Sequence, residues 1–130
     1  IHLKHANKLR KADRFSDSDP YVSITFSHGT LKCKTKVIMD EHNPVWNEKK
    51  SFILSQDELE LARCQNQILT MYLEVFDWDA IGRHDLLGTT QVLVDVDNAA
   101  MKSERGLDFV NVSLGEGNGT ITFNVKIKNF

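Results

Sequence analysis

A period of two recurs along this chain, and it restricts the possible folds more than any other feature. In "TITFNVKIKNF" (residues 120–130) Ile121, Phe123, Val125 and Ile127 alternate with polar side chains, and "YVSITF" does the same with Val22, Ile24 and Phe26. Successive side chains of an extended strand point to opposite faces, so each such segment offers one face to a core and one to water. Ile1 and Leu3 repeat the pattern against His2 and Lys4, and further apolar runs stand at "KCKTKVIM", "PVWNEKKSFIL", "LTMYLEVF", "LLGTTQVLV" and "FVNVSL". The total is about eight short strands, separated by turn-forming stretches such as "SHG", "HNP" and "GEGNG". This pattern predicts an all-β, eight-stranded antiparallel sandwich.

Two inserts interrupt the strands. In "SQDELELARCQNQ", Ser55 is followed three residues later by Glu58, a capping-box start for a short helix. "DNAAMKSERG" predicts a second helix, with Asp97 as its cap and Gly106 at its end. There is no internal repeat and no low-complexity tract. With 130 residues, 41% of them hydrophobic, residues 1–130 fit a single domain around one core. The chain opens on "IHLKHANKL" without an initiator Met, so it reads as a piece excised from a longer multidomain protein.

A net charge of -2 argues against general nucleic-acid affinity. No run of about 18 apolar residues and no signal segment is present. Cys33 and Cys64 lack C-x-x-C or Cys/His ligand spacing, which disfavours a disulfide scaffold or a zinc site and leaves reduced thiols in a cytosolic setting. Asn111-Val-Ser113 and Asn118-Gly-Thr120 have the form of glycosylation triplets, which also arise by chance in polar loops.

The charge is informative locally. "KADRFSDSDPY" carries Asp13, Asp17 and Asp19, and "FDWDAIGRHDLLG" carries Asp77, Asp79 and Asp85, six aspartates against Lys11, Arg14 and Arg83. Loops of a sandwich gather at its two ends, so both stretches can share one end. A hard cation such as calcium takes about six to eight oxygen ligands and would neutralise such a cluster. A hand-type calcium loop fails the count: with Asp77 at position 1, Ile81 falls at position 5 and Gly88 where a bidentate Glu is needed. A carboxylate enzyme would use paired aspartates as acid and base or as ligands of two metals. No G-x-S-x-G or phosphate loop accompanies them, and His2, His5, His28, His42 and His84 are scattered. Aspartates as plain turn formers and caps are the third reading, and it suits Asp17.

"SDSDPYVSI", "HNPVWNE" and "VFDWDAIGRHDLLG" resemble, in order and over nearly the whole chain, the marked segments of C2 domains, the calcium- and lipid-binding modules of protein kinase C and synaptotagmin. The resemblance implies that Asp13, Asp19, Asp77, Asp79 and Asp85 bind calcium, with the backbone oxygens of Ala12 and Trp78 completing the shell. Family members often place Ser or Thr where Gly82 stands, so two ions are expected here rather than three. Because the chain starts on the strand entering the first calcium loop and ends on an additional strand, it resembles the permuted, type II arrangement of phospholipases C and novel protein kinases C. A few residues preceding the first strand are expected to be missing.

The implied function is calcium-dependent membrane targeting, cytoplasmic and peripheral, with no catalysis of its own. Two ions would bring the acidic end to about neutral and leave coordination sites for phosphatidylserine oxygens, so that calcium and lipid tighten each other's binding. Phe15 and Ile81 are candidate membrane anchors beside Arg83. Lys32, Lys34 and Lys36 in "LKCKTKV" alternate along one strand face. By resemblance, Lys32 and Lys34 with Tyr21 form a site for phosphatidylinositol bisphosphate, with Phe76 at the family's Trp and His84 at its Asn. Pro44 and Trp46 are expected to be structural. The alternative is a calcium-independent protein-interaction or phosphoinositide-binding domain.

Overall fold

The computed structural model describes residues 1–11, 18–26, 31–64 and 68–128. Eight antiparallel strands form two four-stranded sheets: β1 (His2–Asn7), β2 (Pro20–Phe26), β3 (Leu31–Lys34), β4 (Val45–Lys49), β5 (Ile68–Asp77), β6 (Asp85–Asp95), β7 (Leu107–Ser113) and β8 (Thr120–Val125). One sheet runs β4-β1-β8-β7 and the other β3-β2-β5-β6. The C-terminal β8 inserts between β1 and β7, as the permuted arrangement requires. Alternation sets the core: Leu3, Ile24, Leu73, Val75, Ile121 and Phe123 are fully buried between the sheets.

Three predicted strands are shorter than the apolar runs suggested. β3 ends at Lys34: the Thr35 N–H still donates to the Val22 C=O at 2.9 Å, but the Thr35 Oγ1, in place of its own C=O, accepts the Val22 N–H at 2.9 Å. Lys36 then leaves the strand, its C=O accepting from Trp46 Nε1 at 3.1 Å and its N–H donating to Glu48 Oε2 at 2.9 Å. It therefore lies outside the strand that carries Lys32 and Lys34. β4 stops at Lys49 rather than running on to Leu54. β8 stops at Val125, where the chain turns so that Ile127 N–H reaches the Met101 C=O at 2.7 Å.

Both predicted helices form. In α1 (Gln56–Cys64) the Glu58 N–H donates to Ser55 Oγ at 3.2 Å, half of the capping box; Glu58 Oε2 is buried without a partner among the described residues. In α2 (Ala99–Lys102) the cap is Asn98, not Asp97: Asn98 is extended and its Oδ1 accepts the Met101 N–H at 3.0 Å. The Asp97 N–H is instead taken by Asp95 Oδ1 at 2.9 Å. Ser103 closes the helix, and Gly106 belongs to the turn beyond it.

One glycine fixes the approach of β8 to the end of β1. Gly119 has φ +84°, and a Cβ there would stand 2.3 Å from the Asn7 C=O and 2.6 Å from that of Lys8. Only the smallest residue lets these backbones meet where β1 runs out towards the first acidic loop.

Candidate functional site

β2 starts at Pro20, whose register partner on β5 is Asp77. Asp19, just before it, bridges to the same place: its N–H donates to Asp77 Oδ1 at 2.8 Å and its C=O accepts the Trp78 N–H at 2.9 Å. On the other side, Asp85 opens β6 directly opposite Asp77. A one-residue bulge creates that opposition, since Val75 pairs with Gly88 but Phe76 pairs with Leu86, leaving buried Leu87 as the extra residue. Without the bulge Asp77 would face Leu86.

Like charges opposite one another on antiparallel strands are destabilising. Backbone N–H groups orient the carboxylates: Asp19 Oδ1 accepts from Asp40 N–H at 2.6 Å, Asp77 Oδ1 from Asp19, and Asp79 Oδ1 from Ile81 N–H at 3.1 Å. Burial pushes the Asp77 carboxyl above its ordinary pKa; the hydrogen bond from Asp19 opposes the rise, and the charges of Asp19, Asp85 and Asp79 add to it. Asp108 shows the contrast. There the Asn124 amide, and after it Lys4 with Nζ 3.6 Å away, hold the carboxyl below its ordinary value.

The structure thus brings Asp19, Asp77 and Asp85 together, with Asp79 on the adjoining loop. Asp13, Asp17, Ala12 and Phe15 lie in 12–17, outside the described residues. Among the described residues no three acidic, histidine or cysteine side chains form a metal cage by themselves. The side chains that neighbour one another here, Asp19, Asp77 and Asp85, are carboxylates, the ligand type that hard cations prefer. Both His84 nitrogens are engaged, Nδ1 with Tyr21 Oη at 2.6 Å and Nε2 with the Asp79 C=O at 3.1 Å.

The loop after β5 carries its apolar residue outward, with Ile81 85% exposed. Gly82 follows at φ +89°, with nothing within 4 Å of where a Cβ would stand. Arg83 is exposed beside them. On the outer face of the same sheet, Lys32 and Lys34 line an open depression of about 520 Å³ with Tyr21, Ser23, Cys33 and Phe76. Tyr21 stacks on Phe76, ring centroids 5.7 Å apart.

Sequence reasoning missed two supports of the site. The Arg10 guanidinium donates to the Leu86 C=O, and Ser18 Oγ donates to the Arg10 C=O at 3.1 Å, fastening the exit of β1 to the strand that starts at Asp85. Their partners are main-chain atoms, which leave no mark in a sequence. The role of Asp40, whose N–H holds Asp19, was hidden for the same reason.

The family model of the C2 domain matches residues 1–109, and the chain belongs to the C2 domain family. Synaptotagmin-3 of Arabidopsis thaliana is 32% identical over 114 residues, which are 87% of this chain and 19% of that protein's length. Among solved structures, a C2 domain of plant extended synaptotagmin 1 matches with a TM-score of 0.71 at 20% identity, covering 98% of this chain and 93% of that one, a likeness of fold. Human GIVD cytosolic phospholipase A2, in complex with a fluorophosphonate inhibitor and terbium chloride, matches with a TM-score of 0.64 at 25% identity, covering 95% of this chain and 16% of that one. Among the described residues no helix is long and apolar enough to cross a membrane.

Proposed function

We propose that this C2 domain is a calcium-dependent phospholipid-binding module that targets membranes from the cytoplasm as a peripheral protein, without catalysis of its own. The observation that carries the reading is the Asp77–Asp85 opposition with Asp19 hydrogen-bonded beside it, a cluster of like charge that costs stability until a cation neutralises it. Asp13, Asp19, Asp77, Asp79 and Asp85, with the carbonyls of Ala12 and Trp78, would hold two calcium ions. Gly82 has no side-chain oxygen to offer a third. Bound calcium supplies positive charge and open positions for the phosphate or serine carboxylate oxygens of anionic lipid. Ile81 and Phe15 would add apolar contact, each worth up to about 1.5–3 kcal/mol if fully buried in the interface, and Arg83 would meet headgroups. The human relative solved with terbium chloride, the salt of a hard oxygen-seeking cation, lends support.

Co-sedimentation with phosphatidylserine vesicles tests the reading. The chain should pellet with vesicles in calcium and return to the supernatant on chelation. Binding that chelator leaves unchanged would favour the calcium-independent protein-interaction or phosphoinositide reading instead.

The depression lined by Lys32, Lys34 and Tyr21 supports a second lipid contact, with phosphatidylinositol bisphosphate. Each lysine near an anionic surface contributes about 1 kcal/mol. Lys32→Ala and Lys34→Ala are each expected to weaken calcium-free binding to bisphosphate-containing vesicles about 5-fold, an effect that shrinks as salt is raised. Calcium titrations without lipid should not change.

A further inference from the structure

His84 joins the loop after β5 to the wall of the basic depression. Its Nε2 faces the Asp79 C=O at 3.1 Å and its Nδ1 lies 2.6 Å from Tyr21 Oη. A carbonyl only accepts, so Nε2 carries the ring proton, and the bare Nδ1 of the neutral ring accepts from the Tyr21 hydroxyl. The two bonds then run in one direction, from Tyr21 through the imidazole to the backbone of Asp79. Packing holds the ring in place: it stands edge-on to Tyr21, centroids 5.4 Å apart at 82°, and 6.4 Å from the Trp78 ring. Tyr21 is braced in turn by its stack on Phe76. Its one hydroxyl proton is committed to His84, which leaves its oxygen only as an acceptor towards the depression.

We infer that His84 is a positioning residue: it presents Asp79 for cation binding by relaying a hydrogen bond from Tyr21 on β2 to the Asp79 main chain. This role rests on the calcium reading above, and it makes the calcium affinity of the loop depend on a phenol that is not a ligand. The chain Tyr21–His84–Asp79 acts as a unit, so removing either end of the relay forfeits the same advantage.

Two measurements on the whole chain test it. Long-range ¹H–¹⁵N correlation of the His84 ring in chelator should show the Nε2–H tautomer in wild type and a tautomer mixture in Tyr21→Phe, which keeps the ring stack and removes only the hydroxyl. Calcium titration by calorimetry without lipid should show Tyr21→Phe and His84→Ala each weakening binding about 3–10-fold, the scale of one lost hydrogen bond. The double variant should be no weaker than His84→Ala alone. A general packing role would give additive losses and leave the tautomer unmoved by Tyr21→Phe. Unaltered calcium affinity in the variants, or a tautomer mixture in wild type, would overturn the inference while leaving the calcium reading intact. A wild-type chain that takes up no calcium would overturn that reading and this role together.

Discussion

Asp77→Asn is expected to raise the calcium concentration needed for vesicle binding at least about 100-fold, because affinity at such sites follows the charge of the ligand set. The same substitution should raise the melting temperature of the calcium-free domain by about 1–4 °C, the return on removing one partly exposed repulsion. The side chain is nearly isosteric, and its Oδ1 still accepts the Asp19 N–H that Asp77 now binds. What disappears is charge. The folded-state pKa of Asp77 is raised from an ordinary 3.8, so its contribution to stability is present below that value and lost as pH rises through the raised one. Melting curves in chelator across the carboxylate range should therefore show the variant's advantage over wild type growing with pH. An Asp77→Asn domain that melts below wild type at neutral pH in chelator would count against the repulsion, and one that keeps its calcium response would remove Asp77 from the ligand set.

Phe123→Ala is expected to destabilise the domain by about 3–5 kcal/mol, read as a fall in melting temperature of more than about 10 °C. Phe123 is fully buried on β8 and stacks on Phe109 of β7, centroids 5.0 Å apart and 12° from parallel. Truncation leaves a void lined on two sides by strands that cannot close it, since β8 is held by β1 and β7 at once. Chemical denaturation with an unchanged m-value and a much lower midpoint would show a pure stability loss. A shift of only a degree or two would mean that β8 adds little to the core.

The same position explains what could be read from the sequence. Phe123 and its neighbours at 121 and 125 announce a half-buried strand because alternation is a property of one segment and survives without its context. Strand ends are different. "KCKTKVIM" looks like one strand, yet the Thr35 hydroxyl takes the Val22 N–H that its own carbonyl would accept, and the strand stops at Lys34, an event decided by another strand. At α2 two capping residues stand side by side, and the extended backbone at Asn98 chose between them. The acids of the site were plain in the sequence, and so was the expectation that two loops share an end. That Asp85 sits opposite Asp77 was not, because it depends on a bulge at Leu87 two residues past Asp85. His84 was visible only as a residue out of place for its family; its relay needed Tyr21, 63 positions away.

β3 lies at the edge of its sheet, with one row of backbone groups that no neighbouring strand covers among the described residues. Exposed edges invite pairing with another chain, and lysines are a common deterrent. Lys32 and Lys34 stand exposed on that edge, and two positive charges there disfavour the zipping of a second copy of this domain onto the first. Stripping both to alanine is therefore expected to make the domain more prone to self-association, whatever it does to the proposed lipid contact.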